Sequence, residues 1–256
     1  MTSVEHKRER HLHLSHLPEE VALALNINGI NYAVMLASPD DIEDFVVGFL
    51  FSEQLICHNR DVHDIDIVTS DDQWQINVQL ANRCITKLNQ RTRNLRSSAS
   101  CGLCGITALQ QAFPELPKVS KHFHCSGNTL TNIRAAVANQ QVKSAQTGAQ
   151  HGACLLLPDG AMVAVREDIG RHNALDKLVG YLLRQPQMPS SFAIVITSRC
   201  GIELVQKAIQ INCPCLISLA SPSKQAVQLA QAHGLQLIHI PKFDGPISYQ
   251  GESHEL

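Results

Sequence analysis

The segment "FAIVITSRCGIELVQKAIQINCPCLISLASPSKQAVQLAQAHGLQLIHI" (192–240) alternates between short apolar runs and longer runs with helical spacing. The predicted elements are a strand at 192–197, a helix at 201–211, a strand at 215–220, a helix at 222–233 and a strand at 235–240. Nearly continuous apolar strands that alternate with helices are typical of a sheet covered on both faces. The segment therefore predicts an α/β fold.

The same rhythm begins upstream of this segment. The additional predicted elements are a helix at 129–141, strands at 153–157 and 161–166, and a helix at 171–184. From residue 129 onward the predicted order is therefore α-β-β-α-β-α-β-α-β. We assign 129–256 to one α/β core.

Residues 19–100 predict a smaller α+β subdomain. Asn28-Gly29 lies between two alternating apolar runs, which is a strong signal for a β-hairpin. Ser38 is a suitable N-cap and Pro39 a suitable first residue for the helix that follows. The predicted elements are a hairpin at 21–37, a helix at 38–54 and strands at 63–69 and 74–80.

The connection between the two regions is polar and basic. Residues 82–98 contain four arginines and one lysine, and their second half is predicted to be an exposed loop. This loop could be solvated surface or an electrostatic guide for an anionic ligand. Residues 101–128 then form a loop and connecting segment in which 105–113 has helical spacing, and residues 1–18 are predicted to be a mobile arm.

Composition excludes several classes of protein. The 256-residue chain has a formal net charge of −2, which argues against non-specific binding of nucleic acid. Its polar start lacks the apolar core of a signal peptide, and no run of about 18 apolar residues predicts a membrane span. Its nine cysteines have irregular spacing, which indicates reduced thiols and a cytoplasmic location.

Polar residues follow several of the predicted strands. In open α/β sheets ligands bind at the carboxyl ends of the strands, close to helix N-termini. The segment "REDIGRHNALDK" (166–177) lies there, with Asp168 as a possible cap and with Arg171 and His172 in the first helical turn. Two cations at that position suggest a bound anion or a carboxylate partner, although surface ion pairs would also explain them. His151 could be either structural or catalytic.

The pair Cys101 and Cys104 lies in the Ser- and Gly-rich stretch "SSASCGLCGI" (97–106). A structural zinc normally needs four ligands, and no second C-x-x-C motif is present. A helix that begins after the motif would stabilise a Cys101 thiolate, which could carry sulfur as a persulfide. The residues alone therefore indicate thiol chemistry near an anion-binding site and no more specific function.

Five segments of the chain are distinctive: "NINGINYAVMLASPDDIEDFVVGFLFSEQLI" (26–56), "CGLCG" (101–105), "TGAQHGA" (147–153), "REDIGRHNALDKLVG" (166–180) and "IELVQKA" (202–208). Together they resemble the FdhD family of sulfur-carrier proteins, which are required for formate dehydrogenase activity. The resemblance implies a cytidine deaminase-like α/β/α core with a smaller N-terminal α+β subdomain, and a homodimer. The segment "SRCGIE" (198–203) is one residue shorter than the S-G-R-x-S-x-E usual in the family.

The resemblance also implies a function. Such proteins accept sulfur from a cysteine desulfurase and pass it to the molybdenum of bis(molybdopterin guanine dinucleotide), before that cofactor enters formate dehydrogenase or another molybdenum or tungsten enzyme. Cys101 would bear the persulfide, with Cys104 as its partner. The residues expected to bind the cofactor are Asp168, Arg171, His172, Ile240, Pro241, Lys242, Phe243, Asp244 and Gly245.

Two other functions remain open at this stage. A non-catalytic chaperone could bind the same cofactor without needing the thiols. A zinc hydrolase of the deaminase kind would need H-x-E and P-C-x-x-C motifs, and the sequence contains neither.

Overall fold

The computed structural model describes residues 17–70, 73–97 and 114–249, which form ten β-strands and seven α-helices. The strands are β1 Val21–Ile27, β2 Ile30–Ala37, β3 Val62–Ser70, β4 Gln73–Leu80, β5 His151–Leu156, β6 Met162–Asp168, β7 Ala193–Ile196, β8 Cys215–Ser218, β9 Gln236–His239 and β10 Ile247–Ser248. The helices are α1 Ile42–Ser52, α2 Ile85–Ser97, α3 Gly127–Gln140, α4 Val142–Thr147, α5 Arg171–Arg184, α6 Ile202–Gln210 and α7 Lys224–His233.

The N-terminal sheet has the strand order β2-β1-β4-β3, with β1 and β4 parallel and the other pairs antiparallel. Asn28 and Gly29 both have positive φ, 48° and 78°, as a tight hairpin turn between β1 and β2 requires. The predicted hairpin is therefore confirmed. One face of the sheet packs against α1 and α2, where Leu25, Phe45 and Leu88 are buried together.

The second sheet has the order β10-β9-β8-β7-β5-β6. Strands β7, β8 and β9 are parallel, whereas β5 is antiparallel to both of its neighbours. Helices α5, α6 and α7 cover one face, with Leu178, Leu204 and Ala226 in its core. Helix α3 covers the other face through Ile133 and Val137. The predicted α/β architecture and the predicted order of elements from residue 129 are confirmed, with α4 and β10 as unpredicted additions.

Helices α1 and α5 join the two sheets. A Cβ atom built on Gly48 would lie 1.8 Å from the carbonyl oxygen of Asp176, and one built on Gly180 would lie 1.8 Å from that of Asp44. The two backbones are therefore in direct contact, and only glycine at both crossing positions permits this approach.

Two local predictions are wrong. Helix α1 begins at Ile42 rather than at 39, and its N-cap is Asp41 in a left-handed conformation with φ of 52°. Ser38 is instead used in tertiary contacts, because its N–H donates to the carboxylate of Asp168 at 3.0 Å. Ser38 has a strong propensity to cap a helix, but here it binds Asp168, which lies 130 positions away in the sequence.

The predicted loop in the second half of 82–98 is a helix, since α2 runs over Ile85–Ser97. Leu88 is buried in the N-terminal core, and Arg91 donates to the carbonyl oxygen of Glu53 at 3.2 Å. Arginine, lysine and glutamine are good helix formers, and the contacts of Leu88 and Arg91 hold the helix against the N-terminal core.

Some predictions concern residues outside the described ranges. These are the Cys101–Cys104 motif, the helix at 105–113 and nearly all of the arm at 1–18. Within the described ranges, no helix combines the length and the apolar character needed to cross a bilayer.

Candidate functional site

The ends of several strands meet at one edge of the second sheet, which we call the carboxyl edge. Strands β6, β7, β8 and β9 end there, and β5 begins there. The edge consists of residues 151–152, 168–172, 197–201, 219–224 and 240–245. Helices α5, α6 and α7 begin at the same edge, so three positive helix ends converge on it.

The turns at this edge are held together by hydrogen bonds. The N–H of Ser223 donates to the carbonyl oxygen of Cys200 at 3.0 Å, which joins the turn after β7 to the turn after β8. Ser223 also caps α7, since its hydroxyl accepts the N–H of Ala226 at 3.1 Å. Thr197 fastens the start of β5, because its hydroxyl accepts the N–H of Gly152 at 2.8 Å. The edge is therefore a rigid frame.

Four cationic side chains are exposed on this frame: Arg171, Arg199, Lys224 and Lys242. None of them forms an ion pair with a carboxylate elsewhere in the described part of the chain. Unpaired cations beside helix N-termini are suited to binding an anion that carries several charges, such as a diphosphate. The prediction for Arg171 and Lys242 is thus consistent with their exposure.

Asp168, in contrast, is fully buried and already bonded. Its carboxylate pairs with the ammonium of Lys177 at 2.7 Å and accepts the N–H groups of Ser38 and Gly170 at 3.0 and 2.8 Å. It also accepts the side-chain amide of Asn173 at 3.0 Å. Asp168 therefore joins the end of β2 to the start of α5. It could influence a bound ligand only indirectly, through the residues that it holds in place.

Most other polar residues of "REDIGRHNALDK" also point inward. Arg166 binds the buried carboxylate of Asp44 through two nitrogens, at 2.7 and 2.8 Å. Glu167 accepts the N–H groups of Lys143 and Ser144 at 3.0 and 2.8 Å and so caps the short helix α4. Only Arg171 and His172 of this motif remain for contact with a ligand.

His172 lines a cleft of about 360 Å³ between α1, α2 and α6, which we call the junction cleft. Its Nε2 is buried without a hydrogen-bond partner among the described residues, and so is Oε1 of Gln210 in the same cleft. Burial lowers the pKa of His172, and the nearby charges of Lys207 and Arg171 lower it further. The imidazole is therefore neutral at pH 7 and can bind a polar ligand atom.

His151 is a second neutral imidazole at the carboxyl edge. Burial lowers its pKa, Arg171 lowers it further, and Asp168 opposes the shift. His151, the first residue of β5, therefore lies within electrostatic range of Arg171 at the carboxyl edge. This placement is compatible with either of the two roles that the sequence left open.

The segment after β9 is highly exposed. Ile240 is buried, whereas every residue from Lys242 to Gly245 is exposed, and Phe243 is 88% exposed. The ammonium of Lys242 lies 5.3 Å from the ring centroid of Phe243. An exposed aromatic ring next to a cation offers a stacking surface for a base and a charge for a phosphate.

Cys101 and Cys104 lie outside the described residues, but the described chain on either side reaches the junction cleft. Arg91 of α2 lines the cleft, and so does Pro114, where the described chain resumes. The cleft also contains His172 from the first turn of α5 and Ile202 from the start of α6.

Sequence reasoning missed two residues at the carboxyl edge, Arg134 and His239. Arg134 on α3 donates hydrogen bonds to backbone carbonyls beyond β8 and β9. His239 is buried at the end of β9. The available signal for His239 was a histidine near the end of the mainly apolar run "LQLIHI", whereas α3 offers no such signal for Arg134. Within the described ranges, no three His, Cys, Asp or Glu side chains form a group that could hold a metal ion.

The FdhD/NarQ family model matches residues 18–254, nearly the whole chain. The chain belongs to the FdhD/NarQ family. Among curated FdhD/NarQ relatives, the sulfur carrier protein FdhD of Acinetobacter baylyi is 38% identical over 220 residues, which cover 86% of this chain and 80% of that protein. The protein of the same name from Cupriavidus necator is 39% identical over 224 residues, which cover 86% and 76% of the two chains.

The FdhD/NarQ fold is also seen in a solved structure from Desulfotalea psychrophila, provisionally named a formate dehydrogenase accessory protein. It matches with a TM-score of 0.69 over 93% of this chain and 89% of that chain, at 22% sequence identity. At that level of identity, the likeness supports the fold.

Proposed function

We propose that this FdhD/NarQ family member is a sulfur carrier that accepts sulfur as a persulfide on Cys101 and transfers it to a molybdenum cofactor. The observation that carries the proposal is the family match over residues 18–254, which include Cys101 and Cys104. Relatives that are 38% and 39% identical are named sulfur carrier proteins.

In the first step the Cys101 thiolate attacks the outer sulfur of a persulfide on a cysteine desulfurase. A new S–S bond forms at Cys101, the S–S bond of the donor breaks, and the donor cysteine leaves as a thiolate. The transferred sulfur keeps its oxidation state, so this step needs no oxidant or reductant.

In the second step sulfur leaves Cys101 as sulfide. The Cys104 thiolate attacks the inner sulfur of the persulfide, a Cys101–Cys104 disulfide forms, and HS⁻ is released towards the metal of the cofactor. The disulfide holds the two oxidising equivalents, and a cellular dithiol reduces it before the next cycle. A reducing cytoplasm supplies such a dithiol, which supports a cytoplasmic location.

The cargo is bis(molybdopterin guanine dinucleotide), a large anion with several phosphates and two guanines. Arg171, Arg199, Lys224 and Lys242 provide exposed positive charge around three helix N-termini. Phe243 provides an exposed ring for stacking. These features support the carboxyl edge as the phosphate- and base-binding surface, with His172 in the adjacent junction cleft.

The recipient is formate dehydrogenase or another molybdenum or tungsten enzyme. The name of the Desulfotalea psychrophila protein refers to formate dehydrogenase, and we propose the same class of recipient for this chain. We also propose that the chain acts as a homodimer, in keeping with the resemblance of its sequence to the FdhD family.

The direct test is sulfur loading of the purified protein with a cysteine desulfurase and L-cysteine, followed by intact-mass and peptide mass spectrometry. We expect the mass of one added sulfur atom on the peptide containing Cys101. The Cys101→Ala variant should not load, whereas Cys104→Ala should load but release sulfide slowly. Cys57 is an exposed thiol in the described part of the chain, so Cys57→Ala is the matched control and should load normally.

A second assay separates transfer from simple cofactor delivery. Cells that lack the endogenous carrier are complemented with each variant, and formate dehydrogenase activity is measured. Loss of activity in Cys101→Ala supports sulfur transfer, whereas full activity would favour a non-catalytic chaperone and refute the persulfide step.

A further inference from the structure

Arg134 lies on α3 with its guanidinium directed at the carboxyl edge. Its Nη2 donates to the carbonyl oxygen of Ile240 at 2.5 Å and also to that of Leu219, and its Nε donates to the carbonyl oxygen of Pro241 at 3.2 Å. One planar group therefore binds the backbone that leaves β8 and the backbone that leaves β9. The fixed fork of a guanidinium makes this geometry specific to arginine.

The charge of Arg134 is balanced by carbonyl dipoles. No carboxylate in the described part of the chain forms an ion pair with it. Hydrogen bonds from a charged donor are stronger than those between neutral groups. The contact is therefore both a strong tether for the backbone and a source of positive potential at the edge.

The segment from Lys242 to Pro246 has few other constraints. All of its residues are exposed, and it is held between two anchors. The first anchor is the contact of Arg134 with Ile240 and Pro241. The second is the pairing of β10 with β9, in which Ile247 lies opposite His239. The position of Lys242 and Phe243 thus depends on the first anchor.

We propose that Arg134 is a positioning residue, which fixes the segment after β9 so that Lys242 and Phe243 face the phosphates and base of a guanine nucleotide. This role rests on the proposed cargo of the carboxyl edge. Arg134 acts through the backbone carbonyls it binds and makes no contact with the ligand. The positive charge of Arg134 is not sufficient for this role, because the guanidinium group must reach all three backbone carbonyl oxygens.

The test compares Arg134→Gln and Arg134→Lys with the wild type by hydrogen–deuterium exchange without ligand. Both variants should exchange faster in peptides covering residues 240–249, while the peptides of β7 and β8 stay unchanged as an internal reference for folding. Asn132→Ala is the matched control on the same helix, because its side chain bonds only to Asn128 one turn earlier, and it should leave the exchange unchanged.

A second measurement uses GDP as the probe, titrated by calorimetry. Both Arg134 variants should bind it about tenfold more weakly, which corresponds to ~1.4 kcal/mol. Unchanged exchange at 240–249, or a lysine variant that restores both exchange and binding, would overturn the positioning role. If the wild-type protein binds no GDP, the proposal that the carboxyl edge binds a guanine nucleotide is refuted. The hydrogen–deuterium exchange experiment still tests whether Arg134 holds the segment after β9.

Discussion

The ammonium nitrogen of Lys177 lies 2.7 Å from Oδ2 of Asp168, and neither side chain has any exposed surface. Lys177 also donates to the carbonyl oxygens of Ser38 and Glu167, at 3.0 and 3.3 Å. The pair thus connects the N-terminal sheet, through Ser38, with the strand and helix that carry Arg171 and His172. A motif dense in charge is here mainly an internal network that holds two parts of the fold in register.

Replacing Lys177 with methionine should strongly destabilise the protein. The substitution leaves the carboxylate of Asp168 buried and unpaired, which costs ~3–5 kcal/mol. Urea unfolding at pH 7 measures this loss. The control is Lys143→Met, since Lys143 and Asp40 form an ion pair in which both side chains are more than a third exposed. The control should lose about 1 kcal/mol or less.

The double variant Asp168→Asn/Lys177→Met should recover part of the loss, because it removes both charges from the interior. Equal losses in Lys177→Met and Lys143→Met would contradict the network described above. So would a double variant that is as unstable as the sum of the two single changes.

The sequence predicted the parts of the fold that depend on local pattern. The hairpin at Asn28-Gly29 and the strand–helix alternation from residue 129 follow from turn chemistry and periodicity, and the structure confirms them. The helix start at Ser38 failed because Asp168 and Lys177 bind Ser38 from distant positions. Contacts of this kind have no local sequence signal.

The candidate site was predictable to a similar degree. The rule that ligands bind at the carboxyl ends of strands indicated Arg171, and the family resemblance indicated Lys242; both residues are exposed at the carboxyl edge. The rule about strand ends also selected Asp168 as a candidate ligand contact, although its carboxylate is buried in an ion pair. A sequence pattern cannot distinguish a polar group that faces a ligand from one that is buried in this way. Arg134 was missed because its partners are backbone carbonyls from two other segments.

Substitution of Gly180 by alanine should separate α1 from α5. The added Cβ would lie 1.8 Å from the carbonyl oxygen of Asp44, so the helices must move apart, at a cost of about 3 kcal/mol. Gly127→Ala is the control, since no atom lies within 4 Å of a Cβ at that position. Thermal unfolding of the two variants measures the difference, and similar melting temperatures would refute the close helix contact.

Acidification should destabilise the protein through His172. Burial, Lys207 and Arg171 lower its pKa below the ordinary value of 6.5, against the opposing charges of Glu203 and Asp176. At pH values well above 6.5 the imidazole is neutral in both the folded and the unfolded chain and contributes no pH dependence. As the pH falls below that value, the unfolded state takes up the proton first, and the free energy of unfolding decreases until the folded state is also protonated.

The measurement is urea unfolding of the wild type and His172→Gln between pH 7.5 and pH 5. Glutamine cannot titrate, so the variant should lose less stability over this range than the wild type does. Parallel pH profiles for the two proteins would show that His172 takes up its proton equally in the folded and unfolded states. Burial also lowers the pKa values of His151 and His239, so these two residues contribute to the slope that His172→Gln retains.

Removing charge from the carboxyl edge should weaken the binding of GDP in a salt-dependent manner. Arg171→Gln and Lys242→Gln each remove one exposed cation that is not paired with a described carboxylate, so each should weaken binding several-fold at low ionic strength. The difference from the wild type should shrink at high salt, because screening reduces the attraction between exposed charges. Arg60→Gln is the control, since Arg60 is an exposed cation just before β3 of the N-terminal sheet. If all three variants bind GDP as the wild type does at every salt concentration, the carboxyl edge is not where the phosphates bind.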